Sequence, residues 1–451
     1  MDILGLLPSF GGIIWTALFF VVALSVIVAV HEYGHYIVGR WCGIHAEVFS
    51  LGFGPVVYRR PDKRGTVWQI AALPLGGFVK FLGDADAASG KDGEAMTGLT
   101  DAERRRTMHG APLWARAATV VAGPVFNFAL SIVVFAIVLM VNGTAREPVT
   151  VDDLIPLPAQ AQTLESGDQI LAVGGTQTPS YEEFFAAVEE LPVEEAISYT
   201  IVRDGTEMQI NAPYPFPPLI SAVQPGSAAM AADLQVGDVI TAIDGAPVSA
   251  FKQLQAMVSA SDGKVLLLDV WRPGAEAGQG EALKFSLAPR SVDLPLPEGG
   301  FETRWLIGMT GGLMFTPATE SPGVVAAARY GVTQTIFIVK SSISGLYHMI
   351  TGAISTCNLS GPLGIAETSG AAASQGVMAF VYFIAVLSTA VGMLNLFPIP
   401  VLDGGHLVFH AYEAVTGKPP GDKALRILMA IGLAVLLSLM AFALTNDIFC
   451  P

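Results

Sequence analysis

Apolar residues gather into four long runs along the chain, and polar residues fill the stretches between them. The runs cover residues 13–30, 117–141, 377–397 and 427–444. A helix of this length crosses the roughly 30 Å hydrocarbon core of a bilayer. The pattern therefore predicts a polytopic α-helical membrane protein with four transmembrane helices. No basic segment precedes the first run and no small-residue cleavage site follows it, so we interpret it as a retained helix rather than a signal peptide.

Two segments between the second and third runs repeat each other. Residues 164–175 (LESGDQILAVGG) and 234–245 (LQVGDVITAIDG) match at a constant offset of 70 positions. Each contains a Gly-Asp turn, a short alternating strand and a glycine turn, and an amphipathic helix follows. The repeat predicts two tandem α+β domains.

The composition narrows the class of protein. Of the 451 residues, 52% are hydrophobic and 14% are charged, whereas roughly 25% are charged in soluble domains. The net charge of −15 argues against nucleic-acid binding. Three cysteines are too few for a disulfide scaffold or a cysteine-rich zinc module. The sequence leaves open whether Cys357 and Cys450 form a disulfide.

Basic residues set the predicted orientation. Residues 39–113 carry ten Lys and Arg and residues 398–426 carry three, whereas residues 142–375 set ten against 25 acidic residues. The positive-inside rule places the first two segments in the cytoplasm, and the acidic segment and both termini outside. Residues 322–352 are also fairly apolar, but a fifth span there would break this alternation. We interpret them as an amphipathic helix at the outer membrane interface; the alternative is a helix packed on the outer domains.

The first apolar run ends in the motif His31-Glu32-Tyr33-Gly34-His35. Positions i and i+4 share one face of a helix, so both imidazoles can reach one metal ion, and the glutamate can act on a water there. Ionisable residues at the membrane end of an uncharged helix are costly and indicate function. The motif therefore predicts a zinc site of the kind found in proteases.

A catalytic zinc ion takes three protein ligands and keeps one position for water. Asp403 is the best third candidate, because it follows the third apolar run on the same membrane face as the histidines. Pro398 and Pro400 are expected to end the helix there, and Gly404-Gly405 to form a tight turn. Two further histidines compete as ligands, although a supporting or interfacial role is favoured for them: His406 and His410.

These motifs resemble those of a known family. The H-E-x-G-H sequence of the first run, with N-x-x-P-x-P-x-L-D-G over residues 395–404, resembles the site-2 protease family of intramembrane zinc metalloproteases. The outer repeats resemble PDZ domains, and their place between the second and third helices resembles the bacterial RseP-type branch, the regulators of sigma-E. The resemblance covers essentially the whole chain. Further segments that fit are residues 49–55, 74–80, 122–127 and 360–365.

The resemblance implies a role for each motif residue. His31, His35 and Asp403 would bind zinc, and Glu32 would be the general base that later passes its proton to the leaving amine. The residues implied to line the substrate groove are Asn395, Pro398 and Pro400. For Asn395 the alternative is an interhelical hydrogen bond. For Asn127 an interhelical hydrogen bond is the interpretation that we favour.

The resemblance also implies the kind of substrate. It would be a transmembrane segment of a pre-trimmed single-span protein, such as an anti-sigma factor or a signal-peptide remnant, in the bacterial inner membrane. Residues 66–82 are predicted to form a β-hairpin that dips into the membrane from the cytoplasmic side and clamps an unwound substrate; the alternative is a soluble hairpin. The PDZ domains would bind peptides or exclude bulky substrates.

The expected organisation combines the apolar runs with the resemblance. Its parts are a first transmembrane helix with HExxH (1–40), a cytoplasmic-side loop with a membrane-associated β segment (41–113), a second transmembrane helix (114–142), two extracytoplasmic PDZ domains (145–217 and 218–292), a linker with the interfacial helix (293–375), a third transmembrane helix (376–398), a cytoplasmic loop with the LDGG motif (399–424) and a fourth transmembrane helix (425–446).

Two other classes of function are open at this point. One is a membrane-anchored PDZ scaffold with a vestigial metal site, and the other is a zinc transporter or sensor. Transporters place their ligands at mid-membrane between repeats, whereas these ligands lie at one face. Glu32 has no task in a scaffold, so the intact motif favours the protease.

Overall fold

The computed structural model describes residues 12–84, 99–158, 163–194, 196–224, 226–274, 279–295 and 301–450. Residues 1–11 and 451 are not among them, so the prediction that both termini lie outside falls partly on residues that are not described. The chain divides into two compact units, Met1–Val138 with Val324–Pro451, and Leu139–Gly323.

Helices dominate the first unit. The helices of the described residues are α1 (Ile13–Trp41), α2 (Asp101–Arg104), α3 (Leu113–Asn142), α4 (Tyr181–Glu190), α5 (Ala228–Ala231), α6 (Phe251–Ser259), α7 (Val324–Ile350), α8 (Pro362–Ser374), α9 (Val377–Asn395), α10 (Asp403–Thr416) and α11 (Asp422–Phe449).

Strands dominate the second unit, and the first unit holds one pair of long strands. The strands are β1 (Ala46–Pro61), β2 (Val67–Phe81), β3 (Thr144–Ala145), β4 (Val151–Leu154), β5 (Gln169–Val173), β6 (Thr176–Gln177), β7 (Ile197–Arg203), β8 (Thr206–Ala212), β9 (Ile220–Val223), β10 (Val239–Ile243), β11 (Ala246–Pro247), β12 (Leu266–Pro273), β13 (Gly280–Leu287), β14 (Arg290–Pro295), β15 (Phe301–Leu306), β16 (Met309–Gly311), β17 (Phe315–Pro317) and β18 (Thr319–Glu320).

Four helices are long and apolar enough to cross a membrane: α1, α3, α9 and α11. They correspond to the four predicted runs. The first helix continues past its apolar run to Trp41, so the HExxH motif lies inside a helix and keeps its i, i+4 geometry. Helix α3 runs through Pro124 without ending, although proline cannot donate a backbone hydrogen bond there.

Strands β1 and β2 form one sheet in which each strand bends back on itself. Residues 67–70 pair with 48–51 on one side, residues 67–71 pair with 56–61 on the other, and residues 77–81 pair with the far side of 46–51. The prediction that 66–82 form a hairpin by themselves is wrong. The segment 46–51 inserts between the two halves and pairs with both of them.

A non-helical segment joins α9 to α10. It spans residues 396–402 and contains both predicted prolines. Gly404 and Gly405, however, lie in the first turn of α10 and not in the predicted tight turn. They are small because the chain passes close by: a Cβ on Gly404 would lie 2.5 Å from the Leu396 carbonyl carbon, and one on Gly405 would lie 2.5 Å from Cα of Pro400.

Most of the fairly apolar stretch 322–352 forms helix α7. A Cβ on Gly331 would collide with the backbone of Ile132 in α3, and the Gln334 side chain donates a 2.9 Å hydrogen bond to the Tyr382 hydroxyl of α9. The helix therefore packs on two of the long apolar helices.

A disulfide joins Cys357 to Cys450, the residue that follows α11.

The second unit contains two sheets with the same strand order. One runs β6-β5-β7-β8 and the other runs β11-β10-β12-β13. Each packs a short helix over its buried face, Phe184 and Val188 of α4 in the first case and Leu254 and Val258 of α6 in the second.

The repeated Gly-Asp turn has a structural task. The Asp168 carboxylate is fully buried and accepts hydrogen bonds from Nε and Nη2 of Arg203, each at 2.7 Å, and from the Glu165 backbone at 2.8 Å. Asp238 does the same with Arg272. The motif thus ties the start of one strand to the end of another in both copies.

Replacement of Asp168 by alanine is expected to destabilise the protein by about 3 kcal/mol, because removal of one partner of a buried ion pair leaves the other charge uncompensated. The measurement is the urea midpoint of the purified protein, followed by limited proteolysis. Glu165→Gln is the matched control: this side chain also contacts Arg203 but is 66% exposed, and we expect less than about 1 kcal/mol. Equal losses in the two variants would contradict the assigned role.

Candidate metal centre

Three predicted ligands converge from two elements. His31 and His35 lie one turn apart on α1, and Asp403 is the first residue of α10. One ligand atom of each residue lies within 4.8 Å of the others. In the part of the chain that the structure describes, no other three His, Cys, Asp or Glu side chains are grouped in this way. Neither His406 nor His410 belongs to the group.

The ligand atoms face one another directly. Nε2 of His31 and Nε2 of His35 are 3.1 Å apart. Oδ2 of Asp403 lies 3.2 Å from the first and 3.5 Å from the second. Burial alone would raise the pKa of the Asp403 carboxyl, but the nearby imidazoles, His35 foremost, hold this pKa well below its usual range. The carboxylate is therefore ionised at neutral pH.

Helix α3 supports both imidazoles from behind. Nδ1 of His35 donates a 2.8 Å hydrogen bond to the Thr119 carbonyl oxygen, which leaves Nε2 as the lone-pair atom. Gly123 leaves room for the rings, because a Cβ there would lie 2.6 Å from Cε1 of His35 and 2.8 Å from Cε1 of His31. Gly123 and the Thr119 carbonyl thus position the motif histidines.

Asn127 of α3 makes the expected interhelical hydrogen bond. Its side chain contacts a predicted ligand on α1, with Nδ2 3.2 Å from Nδ1 of His31. Its backbone carbonyl also accepts a hydrogen bond from the Ser388 hydroxyl of α9 at 3.0 Å. Sequence alone gave no signal for the histidine contact, because it depends on how α1 and α3 pack.

Glu32 faces the edge of the β1–β2 sheet. A Cβ on Gly77 would lie 3.1 Å from Cγ of Glu32, and Val79 lines the same cavity as the glutamate. Among the described residues, the outer edge of segment 77–81 pairs with no other strand. In the described part of the chain, a strand edge without a pairing partner thus runs beside the glutamate.

These groups open into a cavity of about 260 Å³ within the first unit. Its lining includes the three motif side chains of α1, residues 77–79 of the sheet edge, and Asn395, Val401 and Leu402. The Asn395 side chain donates a 3.1 Å hydrogen bond to the Val391 carbonyl of its own helix.

The two predicted groove prolines are placed differently from Asn395. Neither Pro398 nor Pro400 is among the described residues that line the cavity. Pro400 instead packs against α11, where a Cβ on Gly432 would lie 3.0 Å from its ring. The prolines shape the segment, and their neighbours Val401 and Leu402 face the cavity.

A second polar cluster lines the cavity beside the ligands. Burial lowers the pKa of His406, and burial with the nearby Arg116 lowers that of His410 to about 4, so both are uncharged at neutral pH. Arg116 of α3 forms a two-point ion pair with Glu413 of α10, at 2.6 and 2.9 Å. The ion pair joins α10, which begins with Asp403, to α3, which contacts both motif histidines.

The converging side chains fit a zinc ion. Two imidazole nitrogens and one carboxylate form a donor set of catalytic zinc sites. Oδ2 of Asp403 is buried and has no hydrogen bond of acceptable geometry with any described residue, although both imidazoles face it. Such an atom is costly to bury without a partner, and a cation between the three side chains would supply one.

Four long apolar helices and a donor set of two histidines and one aspartate indicate a membrane protein that binds zinc. Comparison with known proteins agrees: the sequence profile of peptidase family M50 matches residues 19–439. The chain belongs to this family of zinc metalloproteases, which the resemblance to site-2 proteases predicted.

Relatives of similar length have related names. The chain is 34% identical to a protein of Agrobacterium fabrum that is named as a zinc metalloprotease, over 95% of this chain and 94% of the relative. It is 31% identical to the regulator of sigma-E protease RseP of Salmonella typhimurium, over 96% of this chain and 98% of the relative. The chain is thus a zinc metalloprotease.

Proposed function

We propose that this protein is an intramembrane endopeptidase that cuts peptide bonds within transmembrane segments of pre-trimmed single-span proteins. The observation that carries the proposal is the convergence of His31, His35 and Asp403, with Glu32 and a free strand edge beside them. A cavity with these components suits an extended peptide, in which backbone bonds are accessible, better than a helix. The complete set gives no support to a scaffold with a vestigial site.

Each motif residue has one task in this proposal. His31, His35 and Asp403 hold the zinc ion, which when bound polarises the scissile carbonyl and makes water acidic near neutral pH. Glu32 accepts the proton of the attacking water and later donates it to the leaving nitrogen. The second transfer is needed because an amide nitrogen leaves only after protonation.

The substrate is held by the sheet edge. A transmembrane helix satisfies its backbone groups internally, so its peptide bonds are accessible only after it unwinds. An unwound segment placed along residues 77–81 regains backbone partners by strand addition. Asn395 faces the same cavity and is proposed to contact the substrate backbone, while Pro398 and Pro400 keep residues 396–402 from becoming helical.

We further infer the setting of this reaction. The charge bias favours an active site near the cytoplasmic face of the bacterial inner membrane and a second unit in the periplasm. Its two sheets of equal strand order, each with a helix, support the assignment of tandem PDZ domains. They are proposed to screen substrates, by exclusion of bulky outer domains or by capture of an extended peptide. Anti-sigma factors and signal-peptide remnants are the proposed substrate classes.

The test uses the purified protein in liposomes with a single-span substrate. Cleavage is expected to stop after metal removal with a chelator and to return with added zinc. Replacement of glycine and proline residues in the substrate segment by leucine is expected to slow cleavage several-fold or more, because the helix then unwinds less readily. Polar substitutions outside the membrane segment are the matched control. If the leucine substitutions did not slow cleavage, the proposal that the substrate helix must unwind would be contradicted.

A further inference from the structure

We propose that Asn127 is a positioning residue that fixes His31 in its metal-binding orientation, with its side-chain oxygen accepting a hydrogen bond from the ring Nδ1–H. The inference rests on the proposed function, because it takes His31 as a zinc ligand through Nε2. It adds to that function a residue on a different helix, which belongs to neither metal-binding motif.

The ring atom that binds the metal determines what must face the other nitrogen. Nε2 of His31 points at Nε2 of His35 and at Asp403, so Nε2 is the ligating atom. A neutral imidazole that offers its Nε2 lone pair carries its hydrogen on Nδ1. The group opposite Nδ1 must then accept a hydrogen bond. For His35 that group is the Thr119 carbonyl, which can only accept.

Asn127 holds the equivalent place for His31. Its side-chain amide nitrogen lies 3.2 Å from Nδ1, and Oδ1 is buried without a hydrogen-bond partner among the described residues. A half-turn of the amide about its last torsion exchanges these two atoms. The amide then accepts from Nδ1–H, Oδ1 gains its missing partner, and Nε2 is left free for the metal. A buried acceptor without a donor is costly, so this orientation suits the metal-holding state.

The backbone of Asn127 is fixed on both sides. Its carbonyl oxygen accepts hydrogen bonds from Ser131 of the same helix and from Ser388 of α9, both at 3.0 Å. Gly392 leaves space for the side chain, since a Cβ there would lie 3.1 Å from Cβ of Asn127. The residue is fully buried. The amide can therefore rotate, but it cannot move away from the ring.

The experiment measures zinc affinity of the purified full chain by competition with a chelator. Asn127→Leu keeps the size but removes the acceptor, and we expect a 10- to 100-fold weaker affinity, the usual effect of the loss of such a partner. Asn127→Asp supplies a fixed acceptor and is expected to restore zinc affinity. Ser388→Ala is the matched control: it removes one hydrogen bond to the Asn127 carbonyl, but Ser131 and the helix still hold that backbone and the amide is intact, so zinc affinity should stay at the wild-type value.

The outcomes separate this inference from the function on which it rests. Wild-type protein that binds zinc, together with Asn127→Leu of unchanged affinity, would overturn the inference alone. Equal losses in all three variants would also overturn it, because they would indicate a packing effect. Wild-type protein without zinc affinity would overturn the proposed function and this inference with it.

Discussion

Glu32→Gln is expected to abolish proteolysis while the protein keeps its zinc. Glutamine has nearly the same shape as glutamate, but it can neither accept the proton of water nor pass it to the leaving nitrogen. Loss of a positioned general base costs typically 10²- to 10⁴-fold in rate. Zinc is retained because the converging donor atoms belong to His31, His35 and Asp403 and not to Glu32.

Two measurements on the same preparation check this prediction: zinc content by mass spectrometry and the cleavage rate of a single-span substrate. Glu207→Gln on strand β8 is the matched control, since it makes the same chemical change on an exposed strand of the second unit. It should cut at the wild-type rate. Substantial cleavage by Glu32→Gln would show that another group carries the proton.

Gly123→Ala is expected to have the second-largest effect. The added methyl group would lie 2.6 Å from Cε1 of His35 and 2.8 Å from Cε1 of His31, and it meets Nε2 of His35 even more closely. Both rings must move, and α3 can yield little because its backbone is held by α9. Displacement of catalytic groups by about 1 Å costs roughly 100-fold in rate. We expect a loss of this size with weakened zinc binding.

Gly345→Ala provides the control for this variant. It makes the same change in helix α7, where no atom lies within 4 Å of the new Cβ. Zinc content and cleavage rate should match the wild type there. Gly123→Ala with full zinc and full activity would mean that the rings are not packed against α3 as described.

Local patterns explain which parts of this protein could be predicted from its sequence. The four long helices follow from apolar runs, because a span needs a fixed number of apolar residues. The pair His31 and His35 follows from helical periodicity. Asp403 could be chosen over His406 and His410 because zinc chemistry and the family motif agree on it, and the converging side chains support that choice.

Features that depend on packing between distant segments could not be predicted in full. The interhelical contact of the Asn127 side chain was predicted, but its partner, His31, lies 96 positions away and could not be. Segment 66–82 has the composition of a hairpin, yet 46–51 inserts between its halves. Pairing between strands depends on long-range contacts that no local period encodes.

Glycines illustrate the same limit. Gly404 and Gly405 were predicted as a turn because glycine is common in turns. Their actual task is to let the first turn of α10 pass against residues 396–402. A sequence shows that a small residue is present, but only the packed structure shows which backbone comes close to it.

The proposed protease cuts its substrate at a peptide bond within the membrane. The most direct measurement is the mass of both fragments of a single-span substrate cut by the wild-type protein in liposomes. We expect the new termini to lie inside the apolar segment, on its cytoplasmic side, and we expect no fragments with Glu32→Gln. Termini in a flanking soluble segment, or the same fragments from both proteins, would contradict it.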